Sequence, residues 1–165
     1  MTDGYDAARG RRNALERLGE KIPGFRGFQD RELRRDVDRL QREHLATELT
    51  HIKGALRQRA RAAADRGGLD ELGAFERLDR QLDGLAQSMR FSDYGAAGLF
   101  DAVKIGEAEL EKLYEFDLAL LDEVAALGGE AADAALERLE EKVRALADRW
   151  RRRETVISDV VKTAR

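Results

Sequence analysis

Cysteine is absent from the 165 residues, which excludes disulfides, thiolate nucleophiles and cysteine-ligated zinc. That usage fits a reducing compartment. Proline occurs once, at Pro23, and aromatic residues make up only 6% of the chain. No stretch approaches the ~18 consecutive apolar residues of a membrane span. The first ten residues lack the apolar core of a signal peptide. These absences lead us to expect a cytoplasmic protein. Serine is found only as Ser88, Ser92 and Ser158, none of them within Gly-x-Ser-x-Gly. A phosphate-cradling glycine loop of either common kind is also missing. The sequence therefore nominates no catalytic residue and implies no cofactor.

What is present is charge and helical periodicity. Charged residues make up 38% of the chain and apolar residues 42%, a balance typical of long helices. We expect an all-α fold, an elongated antiparallel bundle of four main helices with a short N-terminal helix. Residues 1–29 form an N-terminal arm, with a helix over about 6–20 and a loop over Lys21-Ile-Pro-Gly-Phe-Arg-Gly-Phe28. Residues 30–165 form the bundle. Asp30 is the expected N-cap of a helix running to Arg66. Within it, Leu33, Val37 and Leu40 form one stripe. Leu45, Leu49, Ile52 and Leu56 form a second, rotated by roughly 120° at 3.6 residues per turn. The two halves should face different neighbours.

Gly67-Gly68 should end that helix through a left-handed cap. The next helix spans about 69–90 and buries Phe75, Leu78, Leu82, Leu85 and Met89. A third runs from about Leu99 to Leu127, with Val103, Leu110, Leu113, Leu120, Leu121 and Val124 inward. Gly128-Gly129 reads as another stop. The last helix, about 130–163, carries Leu136, Leu139, Val143, Leu146, Trp150, Arg153, Ile157 and Val160 at alternating steps of three and four, the pattern of knobs-into-holes packing. Short glycine-marked connections predict that successive helices are antiparallel neighbours.

Charge is unevenly distributed. Residues 1–66 hold 16 Lys/Arg against 11 Asp/Glu, residues 67–147 hold 8 against 19, and residues 148–165 hold 6 against 3. Folding the chain at 67–68, 94 and 128–129 sorts these charges into two poles. Arg31, Arg34, Arg35, Arg39 and Arg42 fall with Arg149, Arg151, Arg152, Arg153 and Lys162, beside the aromatic loop of Phe25, Arg26 and Phe28. Asp70, Glu71, Glu115, Asp122, Glu123, Glu130, Asp133, Glu137, Glu140 and Glu141 gather at the other pole. A solvated surface explains much of this, because Asp36, Asp38 and Glu43 interleave with the first arginines. The sharper reading is a docking surface for an anionic protein or membrane, made of Phe25, Arg26, Phe28, Arg31, Arg34, Arg35, Arg151 and Arg152. Head-to-tail self-association of such polar rods is a third reading. Nucleic acid is disfavoured by the net charge of −3 and the lack of an aromatic stacking platform.

Three constellations carry chemistry. Glu48 and His51 form a Glu-x-x-His pair, the spacing used by ferritin-like di-metal bundles. His44 lies about 10.5 Å further along the axis, too far to share an ion with His51. Asp117 falls in the middle of an apolar face, where a carboxylate is costly unless paired. It reads either as a general acid or as the partner of an arginine such as Arg57 or Arg61. Arg153 interrupts the apolar stripe of the last helix, where it either fixes register or marks the stripe's exit from the core.

Three stretches resemble an uncharacterised bacterial helical-bundle family. These are Lys21-Ile-Pro-Gly-Phe-Arg-Gly-Phe28, the segment from Arg34-Arg35-Asp36 through Glu43-His44-Leu45, and Tyr94-Gly-Ala-Ala-Gly-Leu-Phe-Asp-Ala-Val-Lys-Ile105 with Tyr114-Glu-Phe-Asp117. The resemblance covers about a third of the chain and implies no activity. The function expected from the sequence is that of a non-enzymatic scaffold or adaptor. The alternatives are a metal-binding bundle using Glu48 and His51, or a self-assembling homo-oligomeric rod.

Overall fold

A computed structural model describes residues 14–24, 32–92 and 106–163. Its helices are α1 over 14–21, α2 over Glu32–Asp65, α3 over Leu72–Phe91, α4 over Glu107–Glu130 and α5 over Leu136–Thr163. A 3-10 turn at Leu69–Glu71 leads into α3, and no strand occurs among the described residues. The fold is an all-α bundle. The aromatic loop with Arg31, and the Gly-Ala-Ala-Gly junction, lie outside the described residues, as do the side chains of Arg34 and Arg35.

The first reversal forms as the glycines require. Gly67 adopts φ +82°, a conformation that would strain any residue with a Cβ. Its amide donates to Ala64 O at 3.0 Å, and the Gly68 amide donates to Ala63 O at 2.8 Å. Together these bonds make a complete Schellman cap, which satisfies two carbonyls that α2 would otherwise leave open.

The last reversal is not where the glycines suggested. α4 continues through Gly128 and Gly129 to Glu130, and the chain turns over residues 131–135. Glycine permits a stop without imposing one. Here Gly128 faces α2: a Cβ added to it would lie in ordinary contact with Ile52 Cγ1, at 3.8 Å. The real stop is held by Arg59, whose guanidinium donates to Ala131 O and Ala134 O, each at 2.9 Å. Arg42 does the same for α3, donating to Met89 O at 3.3 Å and Arg90 O at 3.1 Å. Two arginines of α2 thus cap two other helices.

Four neighbouring pairs close the bundle into a ring: α2 with α3, α3 with α5, α5 with α4, and α4 with α2. The pairs α2–α3 and α4–α5 are antiparallel, as expected. α3 and α4 are not neighbours; they sit across a diagonal, so the rule of antiparallel successive neighbours fails there. α2 runs parallel to α4, because Ile52 meets Gly128 and Arg59 meets Ala131. α3 likewise runs parallel to α5, with Arg77 bonded to Glu140 and Ser88 to Trp150.

The main core takes residues from every helix. Ala14 and Leu18 of α1 join Leu45, Leu49 and Ile52 of α2, the predicted face of α3, and Leu120, Leu127, Leu139 and Leu146. Ile22, just beyond α1, enters the same core, while Pro23 and Gly24 stay exposed. Lys21 pairs with Asp122 and ties the end of α1 to α4. A second, smaller core unites Leu110 and Leu113 of α4 with Ile157 and Val160 of α5. α3 stops short of it, because Phe91 follows the carbonyls that Arg42 caps.

Candidate functional site

The most unusual chemistry of the described residues lies between the two cores. Asp38, Gln41, Asp117 and Arg153 are all buried there, on α2, α4 and α5. Each helix reaches this level with a polar residue in an otherwise apolar row. Arg153 stands between Trp150 and Ile157, and Asp117 lies between Leu113 and Leu118. Gln41 falls where the first apolar stripe of α2 gives way to the second.

Arg153 is 3% exposed and holds the layer together. Its Nε donates to Asp117 Oδ1 at 2.7 Å and its Nη2 to Asp117 Oδ2 at 3.0 Å, a bidentate fork. The same Nη2 donates to Asp38 Oδ1 at 2.7 Å. Asp38 accepts a further bond at Oδ2 from Arg42 Nε, at 2.9 Å. The guanidinium also stacks over the Trp150 indole, 5.4 Å from its centroid. Two cations and two carboxylates cancel, so the layer is neutral and cross-linked. Burial opposes the charge on Arg153, but the Asp117 and Asp38 carboxylates outweigh it and raise its pKa.

This geometry resolves the two questions about Asp117 and Arg153. They pair with each other. The pairing of Asp117 with Arg57 or Arg61 is not what forms: Arg57 instead forks onto Asp79 of α3, at 2.8 and 3.2 Å. A reversal at Gly128-Gly129 would set Asp117 opposite about residue 140 of α5, whereas the turn over 131–135 brings it opposite Arg153. Moving the reversal by about five residues shifts the opposing position by about ten. Both oxygens of Asp117 accept from one fixed guanidinium, which suits a structural brace rather than a general acid. Arg153 thereby reads as a register device, and the stripe continues buried beyond it to Ile157 and Val160.

The same shift dismantles the two poles. Glu115 lies near the level of Arg153, and Glu123 pairs with Arg149 at 2.6 Å. Asp122 meets Lys21, in the middle of the bundle. The helical segments at the supposed basic end (32–45, 85–92, 107–117 and 148–163) contain eleven Lys/Arg and twelve Asp/Glu. Many of these cations have acidic partners. Arg39 bonds Asp36, Arg42 bonds Asp38, Arg151 bonds Asp148, and Lys162 lies 3.9 Å from Asp159. The first turns of α4 add acidic residues to this end, among them Glu109, Glu111 and Glu115. That end is electrically mixed.

Of the eight proposed docking residues, Arg151 and Arg152 have described side chains, and both are exposed. Phe25, Arg26, Phe28 and Arg31 lie outside the described residues, and so do the Arg34 and Arg35 side chains. Glu48 and His51 do form a pair, with Oε1 and Nδ1 3.4 Å apart. It faces outward, however: the His51 side chain is 69% exposed. A ferritin-like site needs both ligands turned toward the bundle axis, and the heptad position of His51 turns it away. Among the described residues, no group of three His, Asp or Glu side chains could hold a metal ion.

Two grooves remain. One, of about 360 Å³, lies between α2 and α3 and is lined by Leu56, Ala60, Leu72 and Phe75 with Arg57 and Asp79. The other, of about 220 Å³, is lined by Lys21, His44, Glu48, Leu121 and Val124. Lys53 is a further polar residue that sequence reasoning missed: it is buried on α2 and bonds Asp83 of α3 at 2.6 Å. Its signal was position, since Lys53 directly follows the core residue Ile52. Among the described residues, no helix is long and apolar enough to cross a membrane. No family model matches this chain, and no curated protein or solved structure matches it.

Proposed function

We propose that this chain is a non-enzymatic helical scaffold or adaptor that docks an anionic protein surface through an arginine face of α5. The observation that carries this reading is the division of the Arg151-Arg152-Arg153 triplet. Arg153 turns inward and braces three helices, while Arg151 and Arg152 stay exposed on the outer side. The inward residue fixes the helix that presents the outward pair. An arginine pair on a braced helix is pre-organised for carboxylates, which lowers the ordering cost of binding. The face replaces the basic pole expected from sequence, because that end carries as many acids as bases. α2 also begins at this end, so Arg34 and Arg35 belong to its first turn.

The test compares the native chain with a variant carrying Arg34→Gln, Arg35→Gln, Arg151→Gln and Arg152→Gln in crosslinking pull-downs from source cells. The native chain should enrich a defined acidic partner and the variant should lose it. Equal enrichment by both sinks the proposal. Vesicles of phosphatidylserine, against phosphatidylcholine controls at ~0.05 and ~0.15 M salt, separate the membrane alternative. Arginine-dependent sedimentation at both salts would move the partner from protein to lipid.

A further inference from the structure

The braced layer contains an unresolved polar group. Gln41 is 0% exposed, and neither its Nε2 nor its Oε1 has a hydrogen-bond partner. Buried amides are almost always bonded, because leaving both ends bare forfeits their hydration without return. The side chain lines a small cavity of about 10 Å³ shared with Asp38, Tyr114, Asp117, Arg153 and Leu113.

We infer that this cavity is a binding site for one ordered water molecule, which bridges Gln41 to the Asp117–Arg153 brace. Size selects the ligand, since ~10–15 Å³ is what one water requires. Chemistry selects it again. Gln41 offers an acceptor and a donor together, and only a ligand that both donates and accepts satisfies the two. A cation drawn to Oε1 and the nearby carboxylates would leave Nε2 bare and would face the Arg153 guanidinium, with Arg42 bonded to Asp38 behind it. An anion would meet the Asp117 and Asp38 carboxylates. Apolar cavities stay dry, but in this one polar side chains from α2, α4 and α5 stand beside Val37, Leu110 and Leu113 and meet the condition for hydration. The water extends the brace from two ion pairs to a network that includes Gln41, so α2 is tied to the layer one turn further along.

A high-resolution crystal structure tests this directly. The expected result is a well-ordered solvent peak within hydrogen-bond distance of both Gln41 amide atoms. A Gln41 amide bonded directly to a protein group, or left bare with no peak, overturns it. Melting of Gln41→Leu supplies an independent reading. With the water present, the native amide is already satisfied, so Tm should rise by no more than ~2 °C or should fall. A larger rise shows that Gln41 was unpaired and overturns the inference.

Discussion

The two ends of this bundle are built on different principles. From the polar layer toward the 67–71 and 131–135 reversals, a single core draws on α1 through α5. Beyond the layer, the described core shrinks to Leu110, Leu113, Ile157 and Val160 of α4 and α5, with Val37 of α2 buried near Leu110 and Leu113 and Tyr114 packed against both cores. The larger half is held by area removed from water, at ~25 cal/mol per Å². Among its described residues the smaller half has little apolar area of its own, and α4 and α5 take their alignment there from the layer. Arg153 and Asp117 thus mark a boundary. They hold α4 and α5 in one register, and the small core is correct only in that register.

Breaking the boundary should have the largest effect. Arg153→Met leaves Asp38 and Asp117 buried, with Asp117 stripped of both its hydrogen bonds. Orphaning a buried charge costs about 3–5 kcal/mol. Chemical denaturation should show a loss of that size. The double variant Arg153→Met with Asp117→Leu should recover most of it, because apolar replacement of a whole ion pair is often neutral or stabilising. Failure to recover would mean that the layer does more than balance charge. A lowered m-value in the double variant would then point to lost helix register.

The next comparison sets the two cores against each other. Leu82 is fully buried in the main core, and Leu82→Ala should cost about 2–5 kcal/mol of global stability. Ile157→Ala, in the small core, should cost less globally. Its signature should be local: native-state hydrogen exchange should speed up in α5 beyond Arg153 and in the first turns of α4, while the main-core amides stay protected. Equal acceleration throughout would show one cooperative unit and remove the division between the halves.

How much of this was legible in the sequence follows from period and level. The inward faces of α3 and α5 were readable because an apolar residue at every third or fourth position admits one orientation. The Gly67 cap was readable because positive φ at a helix end selects glycine. The Arg153 brace was only half readable. Its polar residues stood out against apolar rows, but their partners depend on where the chain reverses. Gly128-Gly129 looked like a turn and lies within α4, with Gly128 facing Ile52. That displacement set Asp117 opposite the wrong part of the last helix and hid the pairing of Glu123 with Arg149. The expected pairing of Asp117 with Arg57 or Arg61 rested instead on the level of α4 against α2, which the contact of Ile52 with Gly128 corrects. Gln41 was not readable, since a glutamine at the join of two stripes looks like a solvent-facing residue. The diagonal relation of α3 and α4 leaves no mark on periodicity at all. Charge counted along a chain therefore needs a register before it becomes a pattern in space.

The smallest expected effect concerns the reversal end, where partly exposed ion pairs join the Arg59 cap at the connection. Glu130 accepts from Arg138 Nε at 2.9 Å and lies beside Lys142. The Arg138 hydrogen bond, followed by that of Lys142, lowers its pKa from 4.5 to about 2. A carboxylate depressed in the folded state stabilises the fold above its unfolded pKa and loses that contribution as pH falls through the folded value. The window therefore runs from pH 4.5 down to about 2. Solvent screening at this exposed site keeps the contribution small. Glu130→Gln should melt slightly below the native chain at neutral pH. Its melting temperature should then fall less steeply through the window, so that the two chains converge at its acid end. Added salt should narrow the neutral-pH difference, whereas the penalty of Arg153→Met should persist because its pairs are shielded from solvent. Equal salt sensitivity in the two variants would erase the contrast between a solvated reversal and a buried brace.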